Sequence, residues 1–261
     1  MQVTHPVVMI PGLPPAFAGL RLALLTDVHR GPFMSEQRVR HFVDLANQEH
    51  PDVIVLTGDC VHRNKRYIPS VWAEFAKLKA PLGVFAVLGN HDYWESGEMS
   101  VAAMATAGIT NLTNRNVAIE RGGQKLFIAG VDDLWAGKPD LKAALQGMGP
   151  DDVAVLLCHN PDYIEQASDP RARLWLSGHT HGGQVCLLPN RPLVHPSKCG
   201  LRYLAGLRRH GATQIYISRG LGTVTPPLRW NCPAELPVIE LQPLQRKTVD
   251  REQRTGRADP G

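Results

Sequence analysis

No run in the sequence approaches the roughly 18 consecutive apolar residues that a membrane-spanning helix needs. The first dozen residues also lack the basic segment of a secretory leader. The chain therefore reads as soluble and cytoplasmic, with any contact to the inner membrane peripheral; loss of an anchor upstream of Met1 stays open. Cysteine is scarce. Cys60, Cys158, Cys186, Cys199 and Cys232 make an odd number without a Cys-x-x-Cys pair. That argues against a disulfide scaffold and a thiolate zinc site, and free thiols in a reducing compartment are the simpler expectation. Aromatic residues are 6% of the chain, and the net charge is only +4, from 28 basic and 24 acidic residues. No aromatic-studded basic groove is evident, so a nuclease is disfavoured and no nucleic-acid partner is expected. The mild positive balance suits a small anionic substrate. Nothing in the sequence reports on oligomeric state.

What is present is a globular composition, 43% hydrophobic over 261 residues, enough for a real core. Short apolar runs at 20–25, 53–56, 84–88, 126–131, 153–157 and 174–176 read as buried strands. Between them, 36–49 carries Val39, Phe42, Val43 and Ala46 at helical spacing behind a Ser35 cap; 68–78 and 101–107 read as further helices. Strand–helix alternation predicts an α/β layered core. Beyond Gly178, strands at 184–188, 214–218 and 237–241 follow without long helices, which predicts a mixed or second sheet. One domain is expected over 1–244, and the polar stretch 245–261 reads as a disordered tail.

Polar motifs follow the ends of successive predicted strands: Asp27-Val28-His29, Gly58-Asp59, Gly89-Asn90-His91-Asp92, His159-Asn160 and Gly178-His179-Thr180-His181. In layered α/β sheets the ligand site lies at those ends. Asp27, His29, Asp59, Asn90, His159, His179 and His181 supply oxygen and imidazole donors without thiolate, a set for borderline-hard divalent ions. On an extended backbone, residues i and i+2 point the same way, so Asp27 and His29 are expected to reach one ion. Seven donors are too many for one open site and fit two ions, with Asp59 able to bridge. Such a pair would acidify a bridging water and bind phosphoryl oxygens. His91 is then the candidate proton donor, with Asp92 to orient its ring. Gly58, Gly89 and Gly178 precede ligands where tight turns favour permissive backbone.

Carrying these five motifs in this order, the sequence resembles the calcineurin-like metallophosphoesterase superfamily. The resemblance implies a four-layer αββα sandwich of two mixed β-sheets flanked by helices. It implies that Asp27, His29, Asp59 and His181 hold one metal, that Asp59, Asn90, His159 and His179 hold the second, and that His91 is the general acid beside metal-bound hydroxide. Mn²⁺ is the expected ion, with Fe²⁺ and Zn²⁺ as alternatives. Leu13-Pro14, Gly19-Leu20-Arg21, Gly178–Gln184, Ser218–Gly222 and Pro226–Arg229 are similar to a bacterial branch of membrane-associated phosphodiesterases and UDP-2,3-diacylglucosamine hydrolases. The reaction implied is hydrolysis of a phosphodiester or pyrophosphate, with a lipid-linked nucleotide as candidate substrate. A phosphomonoesterase, a cyclic-nucleotide phosphodiesterase and a metal-binding scaffold without turnover are the alternatives.

Other residues are read less sharply. Arg63, Arg219 and Arg229 are candidate phosphate binders. Arg202, Arg208 and Arg209, interleaved with Leu201, Leu204 and Leu207, either cap the cleft and touch an acyl chain or anionic bilayer, or form a solvated loop. Asp132 and Asp133 read as solvated loop acids, Asn160 as a turn residue, and Cys60 and Cys158 as core packing. His62 stays unassigned.

Overall fold

A computed structural model describes residues 1–244, so the predicted tail at 245–261 lies outside the described residues. The chain opens with β1 (Gln2–Thr4), β2 (Val7–Ile10) and β3 (Leu20–Leu25), followed by α1 (Glu36–Gln48), β4 (Val53–Leu56), α2 (Ile68–Phe75) and β5 (Val84–Ala86). Then come α3 (Asn90–Thr106), β6 (Thr110–Asn111), the antiparallel pair β7 (Arg115–Arg121) and β8 (Gln124–Gly130), and the single turn α4 (Leu141–Ala144). The rest is almost all β: β9 (Ala154–Leu157), β10 (Ala172–Ser177), β11 (Cys186–Leu188), β12 (Arg191–Pro192), β13 (Gly206–His210), β14 (Thr213–Ile217) and β15 (Glu235–Pro243).

Two mixed sheets result. The first runs β1-β15-β3-β4-β5-β6, with β2 also on β15; the second runs β13-β14-β10-β9-β8-β7. Strands β3 to β6 are parallel, as are β8, β9, β10 and β14. Parallel strands covered on both faces are apolar on both, which is why they stand out in the sequence as unbroken runs. Leu20, Leu22, Leu24, Val53 and Val55 pack towards the second sheet, against Ile128, Val155, Leu157, Leu174 and Leu176. Their alternates Ala23, Leu25, Ile54 and Leu56 face α1 and α2, meeting Val39, Phe42, Val43, Val71, Trp72 and Phe75. The outer face of the second sheet has a thinner cover, α4 and short 3₁₀ turns bringing Leu141, Ala144, Tyr163 and Tyr203 onto Trp175 and Ile215.

Helix α1 begins where its sequence signal does, because the Ser35 hydroxyl accepts the Arg38 amide and caps it. Helix α3 differs from expectation. It starts at Asn90, eleven residues before the predicted Val101, and is broken at Ser96, where ψ is 101°. The Asn90-His91-Asp92 motif is thus the first helical turn rather than a loop. Among the described residues no helix is long and apolar enough to cross a membrane.

Candidate metal centre

All five motifs lie beyond the carboxyl ends of parallel strands: Asp27 and His29 after β3, Asp59 after β4, Asn90 after β5, His159 after β9, His179 and His181 after β10. Each sheet supplies part of one cluster. Asp27, His29 and His181 form one group, and Asp59, His159 and His179 another. Asp59 joins them. Its Oδ2 is 3.6 Å from His29 Nε2 and 3.3 Å from His159 Nε2. His29 Nε2 lies 3.0 Å from His181 Nε2, which is 3.5 Å from Asp27 Oδ1; His159 Nε2 lies 3.2 Å from His179 Nδ1. All six residues are buried.

The backbone achieves this by a route other than the one expected. Asp27, His29, Asp59, His179 and His181 all have φ between +51° and +68°. Asp-x-His and His-x-His therefore converge through left-handed turns, not along extended strands. Side-chain-bearing residues rarely adopt this region, and several together mark a place where surrounding contacts overrule local preference. Backbone pairing supplies those contacts: Asp27 N donates to Gly58 O (3.0 Å), His29 N to Asp59 O (3.0 Å), and His179 N to the Asp27 carboxylate (3.0 Å). Of the three motif glycines only Gly58 needs a positive φ, +94°. Gly89 and Gly178 serve by absence of bulk. A Cβ on Gly89 would overlap Asp59 Oδ1, and one on Gly178 would overlap Asp27 Oδ2.

The donor set fits a pair of divalent cations. Burial drives His29, His179 and His181 well below the usual imidazole range, His179 to about 3, so they stand neutral with lone pairs available, as ligation requires. Burial also works against charge on His159, but the carboxylates of Asp59, Asp27 and Asp133 outweigh it and carry its pKa up to about 10. Asp27 is pushed up to about 6 by burial. Such a field calls for positive charge. Asn90 Oδ1 is buried without a hydrogen-bond partner among the described residues, an expense that ligation would remove. Donor spacings of 3.0–3.6 Å between neighbours suit atoms sharing an ion at about 2.0–2.2 Å.

His91 lines the cleft over this cluster, its amide held by Asp59 Oδ1 at 2.9 Å. Asp92 does not orient its ring, contrary to expectation. The Asp92 carboxylate turns inward and accepts the amides of Cys60 (2.9 Å), Val61 (3.2 Å) and Gly89 (3.0 Å), tying the Asp59 loop to the start of α3. The ring partner is His62, which the sequence left unassigned. Its Nδ1 is 3.1 Å from His91 Nδ1, and its Nε2 accepts from Arg63 Nε at 3.2 Å. An arginine only donates, so the proton of neutral His62 sits on Nδ1 and points at His91.

The three arginines separate. Arg63 is exposed at the cleft edge, its guanidinium reaching Thr225 Oγ1. Arg219 is not free for phosphate, because it is spent on Glu235 (3.1 Å) and Gln2 (3.1 Å). Arg229 is not free either. It is sunk behind His181, donating to the carbonyls of Arg219 (2.7 Å), Gly222 (2.7 Å) and His181 (3.2 Å). Arg202 pairs with Glu165, and its neighbours in β13 form a sheet edge that does not line the cleft. The walls come from Trp94, Trp135, Leu193, Val194, Val224 and Pro226, enclosing about 450 Å³. Trp135 sets its ring edge-on to His179, with centroids 4.3 Å apart. Asp133 is fully buried rather than solvated, capping the amides of Trp135 and Ala136, and Asp132 accepts from the Tyr93 hydroxyl. Asn160 behaves as a turn residue, its side chain taking the Asp162 amide.

A family model described as calcineurin-like phosphoesterase matches residues 20–183. An uncharacterized metallophosphoesterase of Bacillus subtilis, YkuE, is 32% identical over 246 residues, covering 93% of this chain and 86% of that protein. Phosphodiesterase YaeI of Escherichia coli is 32% identical over 234 residues, with 86% and 83% covered. Other relatives are longer, and the chain spans 60% of one from Helicobacter pylori and 45% of one from Caenorhabditis elegans. Among solved structures, an NAD nucleotidase from Haemophilus influenzae superposes with a TM-score of 0.52 at 13% identity, over 77% of this chain and 44% of that one, a likeness of fold alone.

Proposed function

Since the chain belongs to the calcineurin-like phosphoesterase family and is a metal-dependent phosphoester hydrolase, we propose that its substrate is a phosphodiester carrying an apolar group. The observation behind this is the cleft: two donor groups joined by Asp59 at its floor, and walls that are almost wholly apolar. A small phosphomonoester would leave those walls in water. A lipid-linked pyrophosphate such as UDP-2,3-diacylglucosamine, cleaved at its anhydride, carries the same pairing of phosphoryl and apolar groups and is the second substrate type to try.

Asp27, His29, Asp59 and His181 would hold one ion, and Asp59, Asn90, His159 and His179 the other, with Mn²⁺ the first ion to try. When bound, such a pair offsets phosphoryl charge and acidifies water. The chain's own residues do the rest. Trp94 and Trp135 exclude water and hold the apolar group. Arg63 at the rim is placed to meet phosphate. His91 donates a proton to the leaving oxygen. While Arg63 holds His62 Nε2, the His62 Nδ1–H donates a hydrogen bond to His91 Nδ1, so the proton His91 offers is on Nε2. Once Arg63 turns to phosphate, His62 can exchange its proton through water to Nε2 and accept from His91 at Nδ1. The second proton on His91 is then taken from water, and the one it gives to the leaving oxygen is that on Nε2.

The test is turnover of bis-p-nitrophenyl phosphate and p-nitrophenyl phosphate by metal-stripped protein, with Mn²⁺, Zn²⁺ or Mg²⁺ restored singly and Asp59→Ala as control. Metal-dependent cleavage favouring the diester, absent in the variant, is expected. Preference for the monoester, or equal cleavage by the variant, overturns the reading.

A further inference from the structure

One group of large apolar side chains takes no part in the core. On the hairpin formed by β11 and β12, and just beyond it, Leu187, Leu188, Leu193 and Val194 are 68, 64, 59 and 77% exposed, and nearby Trp230 is 61% exposed. The backbone holds these segments side by side. Cys186 N donates to Trp230 O at 2.9 Å, Leu193 N donates to Val185 O at 3.0 Å, and the Asn231 amide spans the carbonyls of Cys186 (3.3 Å) and Leu187 (3.2 Å). Leu193 and Val194 also line the cleft, so the patch runs up to its mouth. A contiguous exposed apolar patch marks a surface that meets something other than water.

Charge says what. Between Asp169 and Glu235 the sequence has no acidic residue and nine basic ones. Arg191 lies on the hairpin itself and Lys198 just after it; both are exposed, and neither forms an ion pair among the described residues. Apolar side chains rimmed by unpaired cations, on a segment with no carboxylate of its own and with the nearby Asp162 buried under the Ser197 hydroxyl and the Lys198 amide, complement an anionic lipid surface. A second copy fits less well, because a two-fold contact would set this acid-free surface against itself.

We propose that the 186–194 hairpin and the Trp230 segment dock on an anionic bilayer, with Leu187, Leu188 and Trp230 entering the headgroup–acyl boundary and Arg191 and Lys198 on lipid phosphates. The cleft mouth then faces the lipid. This surface stands whether or not the proposed substrate is right, because its test reads binding and not turnover. The full chain is sedimented with phosphatidylcholine vesicles containing about a third phosphatidylglycerol, and with pure phosphatidylcholine. Strong pelleting with the first and weak pelleting with the second is expected. The triple variant Leu187→Ser, Leu188→Ser, Trp230→Ser should lose binding on the order of a hundredfold. Its thermal midpoint should match the wild type, since all three side chains point into water. Arg191→Glu should weaken binding without touching the apolar residues. Wild type that stays in the supernatant, a triple variant or Arg191→Glu that pellets as well as wild type, or self-association abolished by the triple variant without vesicle binding would each overturn the proposal.

Discussion

Asp92 sits beside the candidate proton donor, yet its bonds are those of a scaffold, and Asp92→Ala separates the two roles. The wild-type carboxylate is fully buried and accepts three amides, those of Cys60, Val61 and Gly89. Alanine leaves all three without an acceptor. Each buried donor left unpaired costs about 1–3 kcal/mol, so with partial entry of water the loss is about 3–6 kcal/mol. For a chain of this size that lowers the thermal midpoint on the order of 10 °C. Asp92→Asn keeps the shape and one acceptor oxygen, which can still take the Cys60 and Val61 amides while Gly89 loses its acceptor, and should cost roughly a third as much. The assay is thermal and urea unfolding of metal-free protein, so that metal binding does not mask the change, with turnover of bis-p-nitrophenyl phosphate measured well below the midpoint. A midpoint equal to wild type combined with lost turnover would refute the scaffold role and return Asp92 to the chemistry.

Gly89→Ala should abolish metal retention, measured by elemental analysis after gel filtration, because the new Cβ displaces Asp59 and approaches His159 Cε1 to 2.8 Å; full metal content would contradict the packing. His62→Ala should lower kcat on the order of tenfold while KM and metal content hold, since it removes only the partner of His91; unchanged kcat on a poor leaving group refutes it. Arg219→Ala should leave KM near wild type, whereas Arg229→Ala should lose about 2–4 kcal/mol of stability in urea, because its guanidinium satisfies several carbonyls. Hydrogen bonding to Arg40 holds Glu74 down at about 2, against an ordinary 4.5. A depressed carboxyl stabilises the fold above its unfolded pKa and loses that contribution as pH falls through the folded value. Urea midpoints should therefore drop between pH 4.5 and 2, and Glu74→Gln should flatten that slope; parallel slopes would count against it.

Much of the fold was legible because β3, β4, β8, β9 and β10 are covered on both faces, and so write continuous apolar runs. Helix α1 was legible from its period and its Ser35 cap. Strands β1, β2, β6, β7 and β13 were not. They are short or at sheet edges, and Arg115–Arg121 is too polar to read as a strand without its partner. The start of α3 was hidden because Asn90, His91 and Asp92 look like loop residues, and only the Gly89 amide it accepts reveals Asp92 as a cap. The seven donor residues were visible as short motifs at strand ends. His62, Trp94 and Trp135 were not, since their place in the cleft comes from contacts across the fold. A faint signal existed for His62, three residues after Asp59. For Arg219 and Arg229 the charge was visible, but the Glu235 carboxylate, the backbone carbonyls and the Gln2 side chain that consume it lie up to 217 residues away.

The left-handed backbone at Asp27, His29, Asp59, His179 and His181 sets how this chain can age. At the three histidines glycine or asparagine would sit more comfortably, by on the order of 1 kcal/mol, whereas Asp27 and Asp59 also accept the amides of His179 and His91. At His29, His179 and His181 only the demand for an imidazole donor keeps a bulkier residue in place. In a descendant released from catalysis, these three positions are where a stabilising change is nearest to hand, and the decay should run towards glycine and asparagine. Loss of function along such a lineage would be a slide downhill in energy, and regaining it would be a climb.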